Sequence, residues 1–142
     1  MARIHELSFH LDQFKPDIVC IQETWLDESI ENPRIPGYEI CSRRDRHAGA
    51  NRGGILTLQR EDFNSVVHVS NSKEEERSWH FVRIGVDTIL LANWYRPGAS
   101  LFDGFSALYT ETAEFFESVS GIILMGDLNI HHKKWLKKLN MN

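Results

Sequence analysis

The chain has 142 residues, 42% of them apolar, which is enough for one domain with its own core and too few for several. A net charge of −4 argues against a protein that coats nucleic acid through a generally basic surface, although a locally basic site on an acidic body is compatible with it. Cys20 and Cys41 lack the paired spacing of a zinc site or disulfide framework and point to a reducing, intracellular setting, and no apolar run reaches the length of a membrane span or a secretory signal core.

In chain order, Ile4, Leu7, Leu11 and Phe14 fall at helical spacing. Pro16 closes that segment before the apolar run Asp17 to Gln22, which reads as a buried strand that delivers Glu23 at its end. TWLDESIE then has the composition of a short helix, and NPRIPG turns the chain into a strand at Tyr38 to Ser42. After the polar loop RRDRHAGANR, strands are expected at GGILTLQ, NSVVHVSN, RSWHFVRIG and TILLANWY, the last two close enough for an antiparallel hairpin. Phe105, Leu108, Thr112, Phe115, Phe116 and Val119 mark an amphipathic helix with Asp103 as its cap. That helix feeds Gly121 to Asn129, GIILMGDLN, an apolar run read as a second buried strand that stops at an acid and an amide. With no repeat, low-complexity stretch or linker, residues 1–142 are expected to form a single mixed α/β domain with helices packed on sheet faces.

Strand ends are where an α/β sheet presents side chains to ligand, so Glu23, Asp127 and Asn129 are candidates for a site. Each also has a structural reading. Glu23 could cap the following helix, Asp127 and Asn129 could close an Asx-type turn, and Tyr95 could be an aromatic core residue with a satisfied hydroxyl.

QET at Gln22 to Thr24, RGG at Arg52 to Gly54, WYRPG at Trp94 to Gly98 and GDLNIHHKKW at Gly126 to Trp135 occur in an order that resembles the endonuclease/exonuclease/phosphatase superfamily. The pattern is most similar to the apurinic-type endonuclease domain of non-LTR retrotransposons, and it runs from Pro16 to Trp135. The resemblance implies a four-layer α/β sandwich of two mixed sheets flanked by helices, acting on DNA by magnesium-dependent phosphodiester hydrolysis. It implies Glu23 as the Mg2+ ligand, Asp127 as the acid that orients or deprotonates the attacking water, Asn129 as the amide that holds that acid and the phosphate, and Tyr95 as a hydroxyl near the scissile phosphate. These residue types suit the reaction. Magnesium binds through one or two carboxylates plus substrate oxygens and waters, and the transition state needs a base and preorganised donors.

Around these positions, Arg43, Arg44, Arg46 and Arg52 form a basic loop that either positions a DNA backbone or is solvated, with Asp45 compensating. His131 and His132 are adjacent, so their side chains diverge, and they read as loop-fixing rather than as a metal pair, with Trp135 packed beneath. Gly53 and Gly54 read as a tight start to a strand, and Glu74 to Glu76 as a solvated turn.

Members of the superfamily begin with a strand that carries a Trp-Asn type motif, and end with strands that bear a further aspartate and a Ser-Asp-His type block. Met1 stands at the first helix, and WLKKLNMN departs from the expected continuation. The resulting expectation is a domain incomplete at both ends and impaired as a nuclease, with bare sheet edges that a partner chain supplying the missing strands would cover. Three readings stand at this point. One is a DNA-nicking domain of a retrotransposon-type polyprotein, whose product primes reverse transcription. Another is a phosphatase or phosphodiesterase acting on lipids, sugars or RNA tails, because a fold does not fix a substrate. The third is a catalytically silent relic that at most binds. KKWLKK is too short and mixed to fix a nuclear location.

Overall fold

The computed structural model of the chain describes residues 4–46, 52–98 and 105–130. Helix α1 (Ile4–Phe14) lays Ile4, Leu7 and Leu11 on a sheet, as their spacing requires, and ends before Pro16, which cannot donate to a further turn. That sheet is made of β1 (Ile18–Gln22), β2 (Tyr38–Arg44) and β3 (Ile55–Arg60) in the order β1-β3-β2, all antiparallel. A second sheet has the order of β4 (Val66–Asn71), β5 (Glu76–Ile84), β6 (Asp87–Tyr95) and β7 (Gly121–Asp127). The expected hairpin is β5–β6, whereas β6 and β7 run parallel and are joined through helix α2 (Ser106–Thr112) and a 3₁₀ turn (Ala113–Phe115).

Three apolar clusters separate four layers. Leu11 of α1 packs with Leu56 and Leu58 on the outer face of the first sheet, while Val66, Val82 and Leu91 meet Ile18, Cys20 and Cys41 between the sheets. On the far side, Leu108, Phe115 and Val119 cover Trp79, Leu90 and Ala92. The architecture is therefore the expected sandwich flanked by helices, with one mixed sheet and one antiparallel sheet. Cys20 and Cys41 are free, and burial is the main cause that pushes their thiols up to about 12 and about 11. Among the described residues no helix is long and apolar enough to cross a membrane.

Polar groups tie the layers together. Arg77 is fully buried, its guanidinium 4.3 Å from the Trp94 ring centroid, and its Nε donates to Glu111 Oε2 at 2.9 Å. Glu111 also accepts Trp79 Nε1 at 2.7 Å and Ser72 Oγ at 2.6 Å, so one carboxylate anchors α2 to the sheet. Between the sheets, His80 is fully buried with Nε2 2.7 Å from Ser42 Oγ and its ring 5.4 Å from that of His68. Burial, and then the neighbouring His68, push its imidazole from 6.5 down to about 4. The unfolded chain therefore takes up this proton before the folded chain does. Stability from this group is complete above pH 6.5 and is lost as pH falls through about 4. The unfolding free energy from urea titration should decline across that window, by up to about 3 kcal/mol, and the decline should flatten in His80→Gln. An equally steep decline in the variant would assign it to other groups.

Three expectations are corrected. TWLDESIE is not helical, because Asp27 Oδ1 accepts both the Ser29 amide at 2.8 Å and the Ser29 hydroxyl, while Arg43 holds the carbonyls of Asp27 and Ile30. The Gly121 strand is not buried. Among the described residues it is an edge strand with a neighbour on one side, and Ile122, Ile123, Leu124 and Met125 are between 37% and 47% exposed. The helix that begins near Phe105 stops at Thr112 rather than running to Val119, and its expected cap, Asp103, lies outside the described residues.

Candidate active site

The segment after β1, the Gly53-Gly54 start of β3 and the ends of β6 and β7 meet at one end of the sandwich. Because Gln22 pairs with Ile55, Glu23 comes to lie beside the two glycines, and the Thr24 and Trp25 amides donate to the carbonyls of Gly54 and Gly53 at 3.2 and 2.9 Å. These bonds hold Glu23 and Trp25 at φ of +57° and +55°, a left-handed conformation that costs a non-glycine residue about 1–2 kcal/mol. Gly54 has φ +85°, and a side-chain carbon there would overlap Thr24 Oγ1. The RGG block is thus needed for close approach as well as for a turn.

Glu23 is the acceptor at the centre. Tyr95 Oη donates to its Oε1, while Trp25 Nε1 at 2.5 Å and the Gly53 amide at 3.1 Å donate to its Oε2. Burial works against its charge, but the bonds from Tyr95, Trp25 and Gly53, with the nearby Arg46, outweigh it and hold the carboxyl below its usual range. The same bond, with burial, pushes Tyr95 up to about 12, so its hydroxyl stays a donor at any physiological pH. Glu23 caps no helix, and Tyr95 is a core residue, 7% exposed, whose hydroxyl is satisfied by Glu23 across the two sheets.

Asp127 is the register partner of Tyr95 on the parallel strand, so the two residues stand side by side at the sheet's end. Its Oδ1 accepts the Asn129 amide at 3.0 Å, the Asx turn expected as the structural alternative, and the rest of the residue is exposed. Asn129 Nδ2 in turn donates to the Arg96 carbonyl at 2.8 Å, and the Arg96 amide donates to the Asp127 carbonyl at 2.9 Å. WYRPG and GDLN are therefore one hydrogen-bonded unit.

The four arginines differ in what they do. Arg43 donates to Asp45, to the carbonyls of Asp27 and Ile30 and to Asn32, which pins the loop after Glu23. Arg44 is tied to the carbonyls of Ser72 and Arg77 at 2.6 and 3.2 Å. Only Arg46 reaches the centre, with its guanidinium 5.8 Å from the Tyr95 ring centroid, while Arg52 is exposed. His131, His132 and Trp135 lie outside the described residues.

Asn93 was not foreseen. It is fully buried, accepts Gln22 Nε2 at 2.7 Å, and donates to the Leu56 carbonyl and Thr57 Oγ1, each at 3.1 Å. One amide thus joins β1, β3 and β6 beneath Glu23 and Tyr95 and sets their separation. The available signal was a lone amide in the apolar run ILLANWY.

Whether a divalent ion fits can be judged from the donors. Glu23 is a hard oxygen ligand held ionised, and its Oε1 has a lone pair beyond the one engaged by Tyr95, which suits magnesium bound through one carboxylate. Among the described residues no group of three or more His, Cys, Asp or Glu side chains converges on one point.

Residues 4–141 match the Endonuclease/Exonuclease/phosphatase family, and the chain belongs to that family. By sequence, no curated protein matches. Among solved structures, the chain resembles the AP endonuclease LMAP from Leishmania major at 19% identity and a TM-score of 0.70, covering 94% of this chain and 51% of that one. A truncated TDP2 from Caenorhabditis elegans is similar at 19% identity and a TM-score of 0.55, covering 92% and 56%. Humanized D. rerio TDP2 is similar at 14% identity and 0.55, covering 95% and 58%. At these identities the likeness is one of fold, and the chain spans about half the length of these structures.

Proposed function

We propose that the chain is a magnesium-dependent endonuclease domain that nicks DNA, of the kind carried by retrotransposon polyproteins. The observation that carries this reading is the Glu23–Tyr95 pair across the two sheets, with Asp127 beside Tyr95. The block order QET, RGG, WYRPG, GDLN and the likeness to an AP endonuclease support DNA as the substrate over lipids or sugars.

Glu23 would hold the magnesium ion. When bound, the ion supplies charge neutralisation and polarisation at the phosphoryl group. Tyr95, kept protonated, donates its one O–H to the Glu23 carboxylate and so fixes the ion's ligand in place. Asp127 has Oδ1 engaged by the Asn129 amide, so Oδ2 is the atom available to take a proton from the attacking water. Asn129 keeps that carboxylate in place through its own bond to the Arg96 carbonyl.

The purified chain should convert supercoiled plasmid to relaxed circles in magnesium and not in chelator. A folded chain that binds duplex without nicking it would replace the nuclease with a binding module. Hydrolysis of a simple phosphodiester without nicking would move the substrate away from DNA.

A further inference from the structure

Next to the Glu23–Tyr95 pair stands a second carboxylate that this mechanism does not use. Glu76, expected in a solvated turn, instead opens β5 with its side chain 12% exposed. Its Oε2 accepts the Gly54 amide at 2.8 Å and its Oε1 accepts Arg46 Nε in an ion pair. Consecutive amides therefore go to different carboxylates, Gly53 to Glu23 and Gly54 to Glu76. The ion pair rests on Gly53, where a side-chain carbon would come within 2.8 Å of Glu76 Oε2 and 2.9 Å of Arg46 Nε.

With Nε engaged, the guanidinium stands over Tyr95, and among the described residues its two Nη groups make no other hydrogen bond. A cleft of about 310 Å³ opens against the pair, its wall shared by the cations Arg44 and Lys73, the acids Asp45, Glu74 and Glu75, and Pro97. A guanidinium held through Nε still presents a fork of N–H donors that matches a phosphate, and it has already lost the rotamer freedom that a surface arginine gives up on binding. A lysine ammonium could touch both groups but lacks the planar fork that meets a phosphate with two parallel bonds.

We propose that Glu76 is a positioning residue that seats Arg46 on Tyr95 beside Glu23, so that the Nη groups of Arg46 grip a substrate phosphate at the reacting end. The identity of the ligand rests on the phosphodiesterase reading; the placement does not.

A double-mutant cycle tests the coupling. Arg46→Ala should lower kcat for duplex nicking by about ten- to a hundredfold with a smaller change in KM, and Glu76→Ala by about tenfold. The double variant should be no slower than Arg46→Ala, since Glu76 acts through Arg46. Additive losses, or a Glu76→Ala effect confined to melting temperature, would overturn the proposal. A second measurement is independent of activity and follows the ¹H–¹⁵N signal of Arg46 Nε during titration with inorganic phosphate, in the wild type, Glu76→Ala and the gentler Glu76→Gln. The wild-type signal should be sharp and should shift with phosphate, and both variants should broaden it. A wild type that shows this behaviour without nicking would remove the nuclease and keep the positioning. A wild type that nicks with an Arg46 signal indifferent to residue 76 would do the reverse.

Discussion

Glu23→Gln is expected to reduce magnesium-dependent nicking by about a hundredfold or more while leaving a cooperatively folded chain. The substitution keeps shape and removes charge. One carboxamide oxygen can still accept the Tyr95 hydroxyl, but the NH2 group then faces Trp25 Nε1 and the Gly53 amide, both of which are donors. A site whose three donors are arranged to hold an ionised carboxyl thus meets a neutral side chain that satisfies only part of it, at little cost in stability because Glu23 and Trp25 are exposed and the freed Trp25 donor can turn to water. The larger loss is in chemistry, because an amide oxygen is a poor substitute for a carboxylate on a hard divalent ion. Raising magnesium should recover part of the rate in the variant if the defect is ion affinity. Wild-type rates from the Glu23→Gln chain at ordinary magnesium would show that Glu23 is a structural acceptor and that the ion sits elsewhere.

Both halves of this pair were readable in the sequence, but the pair itself was not. Apolar runs that end at Glu23 and at Asp127 marked strand ends, and the helical spacing of Ile4, Leu7 and Leu11 placed α1 correctly, because those signals are local and periodic. Glu76 was misread as solvated because its partners, Arg46 and Gly54, are thirty and twenty-two residues away, and a run of three glutamates says nothing about which one the sheet turns inward. TWLDESIE failed for a related reason. Its helical propensity is weak, and the bonds that Asp27 and Arg43 make to the backbone outweigh it. The exposure of β7 escaped because composition reports that a strand is apolar, not how many neighbours it has. Asn93 shows the same limit from inside the core, since its role depends on two strands that pairing alone brings together.

Gly126→Ala should have the largest structural effect of any single methyl added near the site. Gly126 has φ +143°, and a side-chain carbon there would overlap the carbonyl oxygen of Trp94 and lie 2.8 Å from its carbonyl carbon. The neighbouring strand cannot yield. Trp94 is fully buried, with its ring 4.9 Å from that of Phe105 and held against Arg77. The strand that moves must be β7, which sits at the sheet's edge with its apolar side chains partly exposed. Backbone strain and steric overlap together should lower stability by about 3 kcal/mol or more, read from the urea midpoint, with unfolding still cooperative because the sandwich core lies elsewhere. Activity should fall to background, since Asp127 is the next residue and its alignment with Tyr95 and its bonds with Arg96 and Asn129 all depend on where β7 lies. Gly121→Ala is the control within the same strand. A carbon there meets Ile89 Cδ1 at an ordinary 3.6 Å, and both stability and nicking should stay near wild type. If Gly126→Ala behaved like Gly121→Ala, β7 would not be seated against Trp94, and the placement of Asp127 beside Tyr95 would fall with it.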